Sequence, residues 1–191
     1  MSWLTWVVVG FVCVVLDVSI APLLAIGGVH PSFVLVLVVF VSLFAPKLTA
    51  LWAAWLIGLM MDLCTPLASG AQATPVIGPG ALGFVAACIV VLQVRSLLFR
   101  RRALTAAVVT FAGGLAVALV TFVLATIHTW YAGGGGPWVS LAGGGVLARG
   151  IGVAFASSVL ALLFAPVLVW SAPVWGFRSG PQRSAMMRFF L

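Results

Sequence analysis

Apolar residues run through this chain in long, unbroken stretches, divided by short clusters of proline, glycine and arginine. The stretches do not alternate with a period of two, which excludes a membrane β-barrel. A helix that spans a bilayer needs about 20 apolar residues, fewer where the bilayer thins. The dividing clusters place six such helices at about 3–24, 31–45, 47–64, 76–94, 103–128 and 149–171. Pro22 and Gly27-Gly28 end the first. Pro31 opens the second at the favoured first helical position, and Pro46 stops it. The second is short, and a re-entrant hairpin is the alternative to a full span. No internal repeat is present. Two connections stand out: 65–80, carrying three prolines and three glycines, reads as an irregular loop. Gly133 to Gly145 is close in composition to a flexible linker.

Composition settles the solvent. Of 191 residues, 64% are hydrophobic, and the charged set is nine basic and two acidic side chains. A soluble surface needs roughly a quarter of its residues charged. Lipid must therefore surround most of this chain, and in lipid the backbone has to satisfy itself within helices. The expected fold class is an all-α integral membrane protein. Residues 1–177 form a compact six-helix domain and 178–191 a basic tail. The first stretch is not a cleaved signal peptide: no Lys or Arg precedes it, and Asp17 interrupts it.

The net charge of +7 is distributed as an orientation signal rather than a nucleic-acid footprint. With the N-terminus inside, Lys47, Arg95, Arg100, Arg101, Arg102, Arg178, Arg183 and Arg188 fall on the cytoplasmic side, and Arg149 alone falls outside. That bias predicts both termini in the cytoplasm. Trp3, Trp6, Trp170 and Trp175 fall near the inner interface, and Trp130 and Trp138 near the outer. Arg100, Arg101, Arg102, Arg178, Arg183 and Arg188 read either as an anchor on anionic lipid or as a docking face for a cytoplasmic partner.

Asp17 and Asp62 are the only acids. By helical rise they lie about 21 and 22 Å from the starts of their helices, at similar depth in the outer half of the membrane. An intramembrane carboxylate is costly and normally has a partner. Arg149 and His128 are the outer groups able to offer positive charge, and Asp62 with Arg149 is the favoured pair. Neither acid has the flanking tyrosine or glycine of intramembrane aspartyl proteases, and Ser69 lacks a base, so no catalytic residue is expected. Cys13, Cys64 and Cys88 have no CxxC spacing, which argues against a metal or disulfide framework. No cofactor is implied. Small residues recur at i, i+4: Ala54 and Gly58, Gly83 and Ala87, Gly114 and Ala118, Gly152 and Ala156. Such pairs let helices approach closely, and one groove could remain for a partner.

Several of these features occur together in residues 20–102: Pro31 to Ala45, then Pro46-Lys47, then Gly58-Leu59-Met60-Met61-Asp62-Leu63. Thr65-Pro66-Leu67, Gly80-Ala81-Leu82-Gly83-Phe84 and the basic turn Arg95 to Arg102 follow. This succession resembles the MreD family of rod-shape-determining membrane proteins. Ser32 stands where the family usually has an acid, and Asp17 where a Gln is common. The resemblance implies a non-enzymatic scaffold of the cell-wall elongation machinery in the bacterial inner membrane. It would partner an MreC-like bitopic protein, the actin-like MreB filament and the wall polymerase and transpeptidase. A second reading is the substrate-capture subunit of an energy-coupling-factor vitamin transporter, which shares size and helix count.

Overall fold

A computed structural model describes residues 3–65, 67–69, 72–74, 78–95, 103–131, 144–171 and 175. Among these are six α-helices: α1 (Trp3–Ser19), α2 (Phe33–Phe44), α3 (Lys47–Cys64), α4 (Pro79–Val94), α5 (Ala103–Tyr131) and α6 (Gly144–Ser171). Three of them, α3, α5 and α6, are long and apolar enough to cross a membrane, while α1, α2 and α4 are shorter apolar helices. The expected helix count and order therefore hold, with shifts at the ends.

The shift at the end of α1 has a local cause. α1 stops at Ser19 because Pro22 cannot donate to a continuing ladder, and the chain tightens into a 3₁₀ turn over Ala21–Leu24. Gly27 and Gly28 then adopt φ of 62° and 80°, reversing the chain through a bridge between Ile26 and Val29. α6 starts at Gly144, five residues before Arg149. The connection read as irregular contains a small antiparallel hairpin, β1 (Leu67–Ser69) with β2 (Gln72–Thr74), in the register Leu67↔Thr74. Gly70-Ala71 joins the strands in sequence, and Gly at the first of two connecting positions is a hairpin signal.

α2 is the centre of the molecule. Ten of its twelve residues, Phe33 to Ser42, are buried. A helix that is apolar all round belongs in a core, and this one packs against α1, α3, α4, α5 and α6. Its length, about 18 Å, is well short of the hydrocarbon thickness of about 30 Å. Enclosure by longer neighbours removes the need to match that thickness.

Small residues set the outer contacts. α5 and α6 run antiparallel with Gly114 facing Ala154 and Gly150 facing Ala118; a methyl group on either glycine would sit 2.6 Å from the facing alanine. Gly58 of α3 lies against the backbone of Ala81 in α4, where an added methyl would come within 2.6 Å of Cα. Gly83 and Ala87 of α4 meet Val117 and Gly113 of α5. Three of the four small pairs thus serve internal helix contacts. The fourth differs, since Gly152 packs on Val29 of the turn before α2.

Candidate functional site: two buried carboxylates and the cavity between helix ends

Both acids lie two residues before the end of their helices, and both are buried, at 7% exposure for Asp17 and 8% for Asp62. Burying a carboxylate demands donors for its oxygens. The start of an α-helix supplies them, because its first N–H groups have no intrahelical partner and its dipole is positive there.

Asp17 takes this role for α2. Its Oδ1 accepts from the N–H of Phe33, and its Oδ2 from the N–H of Val34 and from the Ser32 hydroxyl at 2.8 Å. Ser32 is the N-cap: its Oγ accepts from Leu35 N–H at 3.1 Å, while its own N–H donates to Ser157 Oγ of α6 at 2.8 Å. All four orphan donors of α2 are satisfied.

Asp62 does the same for α4. Its oxygens accept from Gly78 N–H at 2.8 Å, Gly80 N–H at 3.0 Å and Ala81 N–H at 3.2 Å. The intervening Pro79 has no N–H to satisfy, so one carboxylate completes the helix start. Gly78 holds φ at 128°, a conformation that favours glycine. The expected ion pair of Asp62 with Arg149 is corrected by this geometry: backbone donors occupy the carboxylate, and Arg149 lies instead over Gly28.

At its other end α2 is held by Arg95, read from sequence only as an orientation charge. Its Nη1 donates to the carbonyls of Ser42 at 3.1 Å, Leu43 at 3.3 Å and Ala45 at 2.8 Å. These are among the last carbonyls of the helix, at its negative dipole end. Trp175 is also displaced from its expected interfacial place. It is fully buried, with its ring centroid 5.4 Å from that of Phe40 and its Nε1 donating to Ser171 Oγ. Trp6 is buried too, whereas Trp3, Trp130 and Trp170 are exposed. Trp52 and Trp55 point outward as an edge-to-face pair.

Between the helix ends that carry Asp17 and Arg149 lies a cavity of about 440 Å³. It is bounded by the ends of α1 and α3, the starts of α2, α4 and α6, and the middle of α5. The cysteines Cys13, Cys64 and Cys88 are free, and no group of three metal-ligating side chains occurs among the described residues. Trp138, Arg100, Arg101, Arg102, Arg178, Arg183, Arg188 and the loop from Gly133 to Gly143 lie outside the described residues.

The family model described as rod shape-determining protein MreD matches residues 1–132. The chain belongs to the MreD family. No curated protein and no solved structure matches the chain. The match covers α1 to α5, including both carboxylate-capped helix starts and Arg95, and ends one residue past Tyr131. α6, with Arg149 and Ser157, follows it. This rod-shape-determining protein is a membrane protein built on helices.

Proposed function

We propose that this MreD-family chain is a non-enzymatic scaffold of the cell-wall elongation machinery in the inner membrane, and that it holds an MreC-like single-span protein by its transmembrane helix. The observation that carries the reading is the family match over residues 1–132. The internal geometry agrees with a rigid framework. Both carboxylates accept from the backbone N–H groups at a helix start, the arrangement of a structural cap. The central helix is fixed at both ends by charged side chains of its neighbours. A partner helix in lipid needs a surface of close fit rather than a hydrophobic drive. α1 offers a continuous uncovered stripe: Leu4, Val8, Phe11, Val15 and Val18 are exposed at helical spacing. In this reading the end bearing Arg149 faces outward and the end bearing Arg95 faces the cytoplasm, where an MreB-like filament would be reached.

Copurification decides it. The full chain, expressed with an MreC-like protein, should elute with it in mild detergent. A photo-crosslinker at Phe11 should capture that partner's membrane segment. Failure to copurify, with a radiolabelled vitamin retained through purification instead, would overturn the scaffold reading in favour of substrate capture.

A further inference from the structure

The cavity has a composition that the scaffold role does not use. Its volume, about 440 Å³, falls within the range of small-molecule pockets, about 300–1,000 Å³. Most of its wall is apolar, with Leu35, Phe84, Val117 and Val153 among its lining. Its ionisable lining residues are Asp17, His30 and Arg149. These three differ sharply in what they leave available.

Asp17 already accepts from three donors, and the Ser32 hydroxyl beside it both donates to Asp17 and accepts from Leu35. His30 is exposed and interacts electrostatically with Asp17. Arg149 is otherwise placed. It is exposed, and among the described residues no carboxylate and no carbonyl accepts from its guanidinium. That group carries five N–H donors in a rigid fork.

The Nη2 of Arg149 sits over Gly28, where a methyl group would come within 3.1 Å, so the missing side chain of Gly28 makes room for the guanidinium. A cation with no acceptor among the described residues therefore stands at the lip of an apolar cavity. A small inorganic anion would satisfy the cation and leave the cavity empty. A neutral apolar molecule would fill the cavity and leave the cation alone.

We infer that this cavity binds an anionic amphiphile, with its phosphate or carboxylate on Arg149 and its apolar part along Leu35, Phe84, Val117 and Val153. Guanidinium and phosphate or carboxylate match geometrically, since two parallel N–H donors meet two oxygens. The cavity accommodates a headgroup and the first part of one chain rather than a whole lipid. The inference is independent of partner capture, which uses the outside of the bundle.

Dodecyl phosphate is the probe, added to the full chain in a neutral detergent, with binding read by calorimetry and by the rise in melting temperature. Binding should be saturable and should weaken about tenfold or more in Arg149→Gln, as loss of hydrogen bonds to a charged group implies. Arg149→Lys should keep part of the affinity, and Val153→Phe should reduce it by filling the cavity. Butyl phosphate and inorganic phosphate should bind more weakly than dodecyl phosphate to the unmodified chain, a comparison that needs no variant to fold. Equal binding of inorganic phosphate would overturn the amphiphile and leave a simple anion site. Equal binding of dodecanol, or unchanged affinity in a folded Arg149→Gln, would overturn the role of Arg149.

Discussion

Asp17 and Arg95 hold opposite ends of one buried helix: the carboxylate accepts from the first N–H groups of α2, and the guanidinium donates to its last carbonyls. Each charge is opposite in sign to the end of the helix dipole that it meets. Removing Asp17 leaves the N–H groups of Phe33 and Val34 buried without an acceptor, so Asp17→Ala should cost about 3 kcal/mol. Asp17→Asn should cost less, since one acceptor oxygen remains. Arg95→Ala should cost about 2 kcal/mol, and Arg95→Lys less, because a point charge still suits the dipole. The two sites are about 18 Å apart along α2, so the double variant should show additive losses. Unfolding of the purified protein in detergent measures all of these. A strongly non-additive double variant would mean that α2 responds as one coupled element.

The glycines divide by what surrounds them. An added methyl at Gly58 would meet the Ala81 backbone at 2.6 Å, whereas at Gly10 the nearest atom is the flexible tip of Ile57 at 3.5 Å. Gly58→Ala should therefore lower the yield of folded protein, by about 1–3 kcal/mol of overpacking. Gly10→Ala should be neutral or slightly stabilising, as alanine favours the helix. Gly80→Ala belongs with Gly58, because its methyl would strike the Asp62 carboxylate. Equal yields of the Gly58 and Gly10 variants would contradict the close approach of α3 and α4.

Helix number and order, and the internal use of small residues, were legible because lipid reduces the backbone to one solution and glycine marks where helices touch. Helical rise alone put Asp17 and Asp62 at similar distances along their helices, but the end of α1 at Ser19, two residues past Asp17, was not read from it. Their partners were not legible. Side-chain bookkeeping offered only Arg149 and His128 as counter-charges, yet the donors are backbone N–H groups, which carry no residue letter. A signal was present: each acid lies near the end of a helix, and a proline then opens the next, at Pro31-Ser32 and at Gly78-Pro79. Arg95 was hidden for a related reason, since its acceptors are carbonyls. Trp175 shows the converse limit, as composition marks an interfacial residue but not the core pocket beside Phe40.

Charge exchange separates a cap from an ion pair. Asp62→Asn should lower folded protein because three backbone donors are left with one acceptor oxygen. Arg149→Gln should leave folding nearly unchanged, since Arg149 is exposed. The exchange Asp62→Arg with Arg149→Asp should rescue nothing, because it would aim a cation at the N–H groups of Gly78, Gly80 and Ala81. Recovery of folded protein in the exchanged variant would restore the ion pair and remove the cap as the main role of Asp62.

The arginines expected on the cytoplasmic side give the last test. Arg100, Arg101, Arg102, Arg178, Arg183 and Arg188 account for six of the nine basic residues. Reporter fusions at Arg102 and after Leu191 should both signal from the cytoplasm, as the positive-inside bias requires. If these residues act as a lipid anchor, charge number decides, at about 1 kcal/mol for each basic residue near an anionic surface. Replacing all six with lysine preserves that attraction but removes the planar fork that pairs two-pronged with carboxylates. The expected result is normal insertion and unchanged association with anionic membranes in the lysine variant, and loss of both in a six-glutamine variant. Filament association provides the discriminating readout, because docking on an acidic protein face depends on the geometry of the contact as well as its charge. If the lysine variant inserts normally yet loses the filament, the arginines are a docking face, and lipid attraction is secondary.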